Sequence, residues 1–308
     1  LYLTSAEDYG GKRLRKVSAF VFEALGTEAK EKEKKRASAI EAIARFAPKK
    51  DSVKPQDAKM EETKPVKLSY YQIDDYITCP LKYKYVNILR VPIMEHHTVI
   101  YGRAMHEAVT RYFQFKMAGK KMQLADILSV FDSSFDPQGF LDKYHQEERS
   151  RVGKEALVRF FHAEEERDSK PKFIEKEFSF IFEGNKIAGR FDRVDEDAGG
   201  DIIIDFKTSE VKAQDIADKK SKESLQLLLY ALAYEQMTGK LPLKVELFFL
   251  ESGIIGSSII MEGDLEKIKE KIRVVSSGIR SQNFQATPAY MACTYCAYSQ
   301  ICPSAKAR

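Results

Sequence analysis

Two carboxylates and an ammonium share one short, otherwise apolar stretch of this chain. From Ile187 to Ser209 it reads I-A-G-R-F-D-R-V-D-E-D-A-G-G-D-I-I-I-D-F-K-T-S, with twelve residues between Asp192 and Asp205. Charges on such a segment are costly to bury unless they pair with one another or bind a cation. A salt bridge between Asp205 and Lys207 meets that demand. So does a divalent cation: Mg2+, or Mn2+ in its place, takes oxygen ligands in octahedral geometry and keeps several waters. Asp192 and Asp205 supply two oxygens, and the backbone carbonyl of Phe206 a third. Such an ion polarises a phosphate ester and makes water more acidic. Lys207 can then orient that water and offset charge in the transition state. Asp195 lies close by in D-R-V-D, but strand alternation turns it to the opposite face unless a bulge intervenes. The cation is therefore assigned to Asp192.

The element that must hold these groups is a β-hairpin. Residues 188–194 read as one strand, Asp197-Ala198-Gly199-Gly200 as a turn, and residues 201–207 as a second strand with a β-branched centre. Alternation places Asp205 and Lys207 on one face and Phe206 on the other. Upstream, residues 173–182 alternate, with Phe178, Phe180 and Phe182 on one face and Glu175, Glu177 and Ser179 on the other. Downstream, 221–237 reads as an amphipathic helix stopped by Thr238-Gly239, 243–250 as a buried strand partnered by 255–261, and 264–281 as a second amphipathic helix. Earlier in the chain Ser69 caps a helix that Cys79-Pro80 interrupts. Helices over 100–116, 123–133 and about 140–167 follow and read as a helical insertion.

With 308 residues and 44% hydrophobic content, the chain can build one large domain or two smaller ones. Lys+Arg 50 against Asp+Glu 46 leaves a net charge of +4, which does not by itself mark a nucleic-acid binder. No run is long and apolar enough to span a membrane, and no signal peptide is visible; a cytoplasmic location without a membrane partner is expected. The start at Leu1 reads as part of a longer polypeptide. Residues 28–67 are rich in Glu, Lys and Ala, with Pro48, Pro55 and Pro65, and read as a solvated helix followed by a charged linker.

Four cysteines occur, Cys79, Cys293, Cys296 and Cys302. In a reducing compartment such a set favours metal over disulfides. Spacing alone does not separate zinc from iron–sulfur, since both accept four thiolates, and free buried thiols are a third reading.

The segments G-R-F-D-R-V-D and I-I-I-D-F-K-T-S resemble the PD-(D/E)xK nuclease superfamily, specifically its RecB-like branch. The resemblance extends over about residues 68–303. His106, in Y-G-R-A-M-H-E, matches the branch's upstream helical histidine that helps hold the metal. Gln226 and Tyr230, in Q-L-L-L-Y, share one helix face at i,i+4 and match its Gln-x-x-x-Tyr motif near the DNA backbone. Glu177 stands on the strand before the hairpin, where many relatives carry an acid. Without the resemblance these are an ordinary helix histidine, part of an amphipathic helix and an exposed strand glutamate. With it, Asp192, Asp205, Lys207, Gln226 and Tyr230 are implied as catalytic, and His106, Asp192, Asp205 and Glu177 as holding the metal. C-P-L-K-Y-K-Y and C-T-Y-C-A-Y-S-Q-I-C-P resemble the iron–sulfur members of this branch, which include AddB-type nuclease domains and the CRISPR-associated exonucleases. That implies a structural [4Fe–4S] cluster on Cys79, Cys293, Cys296 and Cys302, with Zn2+ as the alternative. Residues 1–27 resemble the end of the motor core of UvrD/Rep-type superfamily 1 helicases. The ATP-binding loop of such motors is not in this chain, so no helicase activity is expected.

The implied fold is α/β: a restriction-endonuclease-like mixed β-sheet core flanked by helices, with a helical insertion. The implied organisation is a helicase remnant over 1–27, a charged linker over 28–67 and a nuclease domain over 68–308. The implied activity is Mg2+-dependent cleavage of DNA, as an exonuclease on single-stranded ends, in double-strand-break repair and recombination. The partners implied are single-stranded or duplex DNA ends, the upstream helicase domain of the same polypeptide and a second helicase–nuclease subunit. Two rivals stand beside this reading: a non-catalytic nuclease fold that binds DNA ends or a partner, and a stand-alone CRISPR-associated exonuclease. Lys82, Tyr83, Lys84, Tyr85 and Arg103 either contact DNA or pack around the thiols.

Overall fold

The computed structural model describes residues 18–25, 65–140, 142–167 and 169–306. Two units divide the chain, Leu1–Asp57 and Ala58–Arg308. In the first, helix α1 spans Ala19–Leu25, the range the sequence predicts. The rest of the helicase-like stretch, and all but the end of the expected linker, lie outside the described residues.

The second unit opens with a short strand, β1 (Lys67–Leu68), and helix α2 (Tyr70–Thr78). Ser69 and Gln72 cap α2 reciprocally, side chain to backbone in both directions. Cys79-Pro80 breaks the helix as expected, because proline has no N–H to continue it. The chain restarts as α3 (Pro80–Tyr83), which widens into a π turn over Lys84–Ile88. The helical insertion follows as α4 (His97–Met117), α5 (Leu124–Ser134) and α6 (Lys143–Glu166). Then come β2 (Pro171–Phe182), β3 (Asn185–Asp197) and β4 (Gly200–Lys207). The predicted turn falls at Ala198-Gly199, and Gly200 takes a φ of +139°, open to glycine but not to L side chains. The remaining elements are α7 (Gln214–Glu223), α8 (Leu225–Thr238), β5 (Lys244–Phe249), β6 (Ile254–Ser258), α9 (Glu262–Arg280) and α10 (Tyr290–Thr294). Among the described residues no helix is long and apolar enough to cross a membrane.

The expected helix over 221–237 is two helices. Ser224 adopts an extended conformation, and its hydroxyl oxygen accepts the Leu227 N–H, starting α8 afresh. Nor is α8 amphipathic: every residue from Gln226 to Tyr234 is buried. It lies between the sheet on one side and α2 and α9 on the other, and only its last turn, residues 236–238, is exposed.

The sheet is mixed and runs β1-β3-β4-β5-β6, with β2 also paired to β3. Strands β2, β3 and β4 are successive antiparallel neighbours, β4 and β5 are parallel, and β6 closes antiparallel to β5. A parallel β4–β5 pair requires a crossover, which α7 and α8 provide. Apolar cores form on both faces. One joins Ile203, Val245 and Leu247 to α8 and α9; the other joins Ile204, Phe206 and Phe248 to α4, α5 and α6. This is the mixed sheet flanked by helices that the sequence predicts, with the insertion packed as one of its layers.

The insertion is fixed to the sheet by a buried charge cluster. Arg193 of β3 is 1% exposed and makes a bidentate pair with Asp195. Its guanidinium also lies 3.6 Å from Glu164 of α6 and 4.0 Å from the centre of the Phe113 ring of α4. Asp195 thus faces the insertion, away from Asp205. Removing one partner of a buried pair leaves an uncompensated charge. Arg193→Ala is expected to destabilise the second unit by about 3–5 kcal/mol, read as a lowered urea midpoint. An unchanged midpoint would show that the cluster does not hold the insertion.

Candidate active site

The pairing of β3 with β4 stops at Arg193↔Ile204. One step further the register sets Asp192 opposite Asp205, where the two strands part and a cleft of about 480 Å³ opens. At this point the pleat of β3 also slips. Phe191 and Val194 are three residues apart, yet both enter the core beneath α8. With the ladder broken, the Phe206 N–H has no strand partner, and Oδ2 of Asp192 accepts it at 3.0 Å. Asp205 is 1% exposed and points toward α8, while Phe206 points into the opposite core, as alternation predicts.

Helix α8 supplies the groups that hold Asp205. Gln226 Nε2 donates to Asp205 Oδ1 at 2.6 Å and to the Tyr230 hydroxyl at 3.0 Å. Lys207 Nζ donates to Gln226 Oε1 at 2.7 Å and lies 2.7 Å from Asp205 Oδ2. The salt bridge of the Asp-x-Lys motif therefore forms, and it forms inside the cleft. Tyr230 is seated by Phe178 and Phe191, whose ring centres lie 5.8 and 5.4 Å from its own. Phe178 can lie across β3 because residue 189 is glycine; a Cβ there would stand 2.6 Å from the Phe178 ring.

The other wall is helix α4. Its apolar side is buried against α5, α6 and the sheet, while Arg103, Glu107, Thr110 and Gln114 line the cleft at i, i+4, i+7 and i+11. His106 lies within this stripe. Its Nε2 is 2.9 Å from the Phe206 carbonyl oxygen, and its Nδ1 is 3.6 Å from Asp192 Oδ2.

The cleft therefore gathers His106, Asp192, Asp205, Lys207 and Gln226, with Tyr230 behind Gln226. Glu177 is placed differently. It is exposed, opposite Arg190 in the ladder, and lines a neighbouring hollow. The acid of β2 that does line the cleft is Glu175, opposite Asp192 by the same register and paired to Arg190 at 2.5 Å. Glu175 has a φ of +53°, a left-handed backbone that is unusual for any residue other than glycine. In an ideal strand the two glutamates share a face, and only this local twist separates them. Of the residues that could reach DNA or pack around the thiols, Arg103 lines the cleft. Tyr83 is buried and stacks on Phe284, Tyr85 meets Tyr298, Lys84 lies over Phe284, and Lys82 pairs with Asp75. These four pack against the C-terminal segment and the end of α2.

The four cysteines carry no disulfide and line one pocket. Cys79 stands between α2 and α3; the other three come from α10 and the turns after it. Their thiols are the donor chemistry of a thiolate-held group. Among the described residues, however, no three His, Cys, Asp or Glu side chains close around a point as an ion cage.

The charges of the cleft are out of balance. Burial first, and then the neighbouring Asp205 carboxylate, hold the Asp192 carboxyl well above the usual aspartate range. Burial pulls the Lys207 ammonium down, but Asp205 outweighs it, and the net direction is up, so Lys207 stays charged. Burial lowers His106 despite the pull of Asp205, which leaves a neutral imidazole with a lone pair to donate. Oδ2 of Asp205 is buried and accepts no hydrogen bond beyond its ion pair with Lys207. Two crowded carboxylates beside a neutral imidazole are the oxygen and nitrogen donors a divalent cation takes, although among the described residues no three of them close as an ion cage.

As pH rises through the ordinary aspartate range, the unfolded chain releases the Asp192 proton before the folded chain does. At neutral pH this residue therefore costs stability while no cation is bound. Asp192→Asn is expected to melt at a higher temperature than wild type in EDTA. Mg2+ or Mn2+ should stabilise wild type by about 2.7 kcal/mol at a hundredfold excess over Kd, and the variant much less. Scanning fluorimetry checks both; a wild-type melting curve indifferent to divalent cations would refute the site.

A model of the PD-(D/E)XK nuclease superfamily matches residues 67–303. Among solved structures, an Eubacterium rectale protein named "Putative exonuclease" aligns at 12% identity with a TM-score of 0.47, covering 76% of this chain and 88% of its own. The structure of SSO0001 aligns at 14% identity with a TM-score of 0.32, covering 76% and 95%. No curated protein matches. With the match running from β1 past the last cysteine, the chain belongs to the PD-(D/E)XK nuclease superfamily.

Proposed function

We propose that this chain is a Mg2+-dependent DNA nuclease acting as an exonuclease on single-stranded ends. The observation that carries the reading is the facing pair Asp192 and Asp205 at the parting of β3 and β4, with Lys207 and His106 turned into the same cleft. Asp192, Asp205 and His106, with the Phe206 carbonyl, would hold the cation. When bound, it supplies charge to offset the phosphate and acidity to water. The residues of the chain do the rest. Lys207 is an ammonium held beside Asp205, so it donates to the reacting oxygens and does not take a proton. Gln226 fixes both Asp205 and Lys207, and Tyr230, whose phenol burial keeps neutral, fixes Gln226. Water attacks phosphorus and passes its proton to solvent in the open cleft. The phosphorus–oxygen bond to the sugar breaks, and the leaving sugar oxygen takes a proton from solvent, so that a phosphate monoester and a hydroxyl end result. The cationic Arg103 and Arg190 flank the cleft and suit a phosphate backbone.

The helicase-like stretch over 1–27 supports a wider setting: a nuclease carried by a UvrD-like motor that feeds it single-stranded DNA during double-strand-break repair. The convergence of Cys79, Cys293, Cys296 and Cys302 on one pocket supports a structural [4Fe–4S] cluster, with zinc the alternative.

With Mg2+, wild type should degrade a labelled single strand and EDTA should stop it. Asp205→Ala should be inactive, and Lys207→Ala slower by about 10²–10³-fold. Asp205→Ala cleaving as fast as wild type ends the nuclease reading in favour of a binding module. Labels at the 5′ and 3′ ends report polarity. For the thiols, anaerobic protein should contain about four iron atoms per chain, the content of a [4Fe–4S] cluster on four thiolates, and Cys296→Ser should lose iron and melt lower. Stoichiometric zinc without iron overturns the cluster.

A further inference from the structure

Tyr71 has no part in the site described above, yet it stands over it. The residue sits in the first turn of α2, and its side chain is 71% exposed. Its ring meets Tyr70 edge-on at 5.6 Å. It lines the catalytic cleft and also a second hollow, of about 710 Å³, which Glu177 borders. Arg190 and Asp192 are common to both. The two hollows are therefore one trough, with Tyr71 at the place where they join.

The two halves differ in chemistry. The catalytic half is lined by charged and polar groups that suit a phosphate. The second half has Phe178, Ala188, Gly189 and Leu229 among its lining, with exposed Lys186 at its border. Gly189 adds no side chain, and Phe178 fills the space a Cβ would need. The open backbone at Ala188 and Gly189 beside the exposed phenol ring of Tyr71 leaves room for a flat aromatic body, and Lys186 and Arg190 at the edge suit the phosphates on either side of it.

Resting on the nuclease reading, we propose that this second hollow is a nucleobase subsite: with a phosphate over Asp192 and Asp205, the base next along the strand stacks on Tyr71. A base lying flat against that ring is out of its duplex, so the subsite selects an unpaired strand. Stacking uses the π-face that every base has, so the selection is for single-strandedness and not for sequence. Arg190, at the junction, suits the phosphate between the two halves.

The probe is a 12-nucleotide DNA strand carrying 2-aminopurine with phosphorothioate linkages that resist cleavage, mixed with the 308-residue chain and Ca2+ so that binding is read without cleavage. Wild type should quench the 2-aminopurine on binding. Tyr71→Ala should lose the quenching and bind the strand about 5- to 150-fold more weakly, the range of one base–aromatic stack. Tyr71→Trp should restore both, and the blunt duplex of the same sequence should bind wild type and Tyr71→Ala alike. Unaltered binding and quenching in Tyr71→Ala, absent quenching in wild type, or an equal loss on duplex each overturns the subsite. Cleavage that disappears in Asp205→Ala while Tyr71→Ala binds normally removes the subsite alone. Cleavage that survives in Asp205→Ala removes the nuclease reading, whatever Tyr71 does.

Discussion

Two carboxylates facing each other in a buried corner are the constraint around which this structure is arranged. Asp192 and Asp205 stand opposite one another where their strands separate, Asp205 buried and Asp192 half-buried in the wall of the cleft. Left alone they would repel, and the fold meets that repulsion piecemeal. The Phe206 amide goes to one, Gln226 and Lys207 to the other, and His106 closes the side. Each compensating group imposes a condition elsewhere. Gln226 reaches Asp205 from the first turn of a helix that restarts at Ser224 and is buried from Gln226 to Tyr234. Phe206 has an amide to give because the strand ladder stops one pair earlier.

The same strand carries a second charged group on its other face, and the contrast is informative. Arg193, Asp195 and Glu164 are buried like Asp205. There, a guanidinium sits between two carboxylates and a ring, and Arg167 adds a second cation to Glu164 at 3.0 Å. On the cleft face one ammonium also answers two acids, and the remaining groups on those acids, Gln226 and His106, are neutral. The first arrangement ties helices to a sheet. The second leaves its acids with less positive charge close by.

Much of this is legible in the sequence because β-strands repeat every two residues and turns have their own chemistry. The hairpin, its two glycines and the facing of Asp205 and Lys207 away from Phe206 follow from pattern alone. Gln226 and Tyr230 are visible as a pair because four residues make one helical turn. What could not be read depends on departures from the ideal element. Glu175 and Glu177 share a face of a regular strand, and the positive φ at Glu175 sets which of them enters the cleft. The run over 221–237 looks like one amphipathic helix because a cap inside it, Ser224, resembles any other small polar residue. Arg193 follows Asp192, so alternation turns it to the other face, but its partner Glu164, on a helix of the insertion, is too far along the chain for any periodicity to show.

Helix α2 has a further consequence. Tyr71 stands at its first turn and Cys79 is its C-terminal cap, so the two ends of a nine-residue helix touch two different centres. Midway, Tyr76 is clamped against Gly278 of α9, and its hydroxyl donates to the Asn283 carbonyl. One helix, about 12 Å from Tyr71 to Cys79, is thus shared between the thiol pocket and the mouth of the cleft. Where the tail seats Cys79 also fixes where Tyr71 stands beside Asp192 and Asp205.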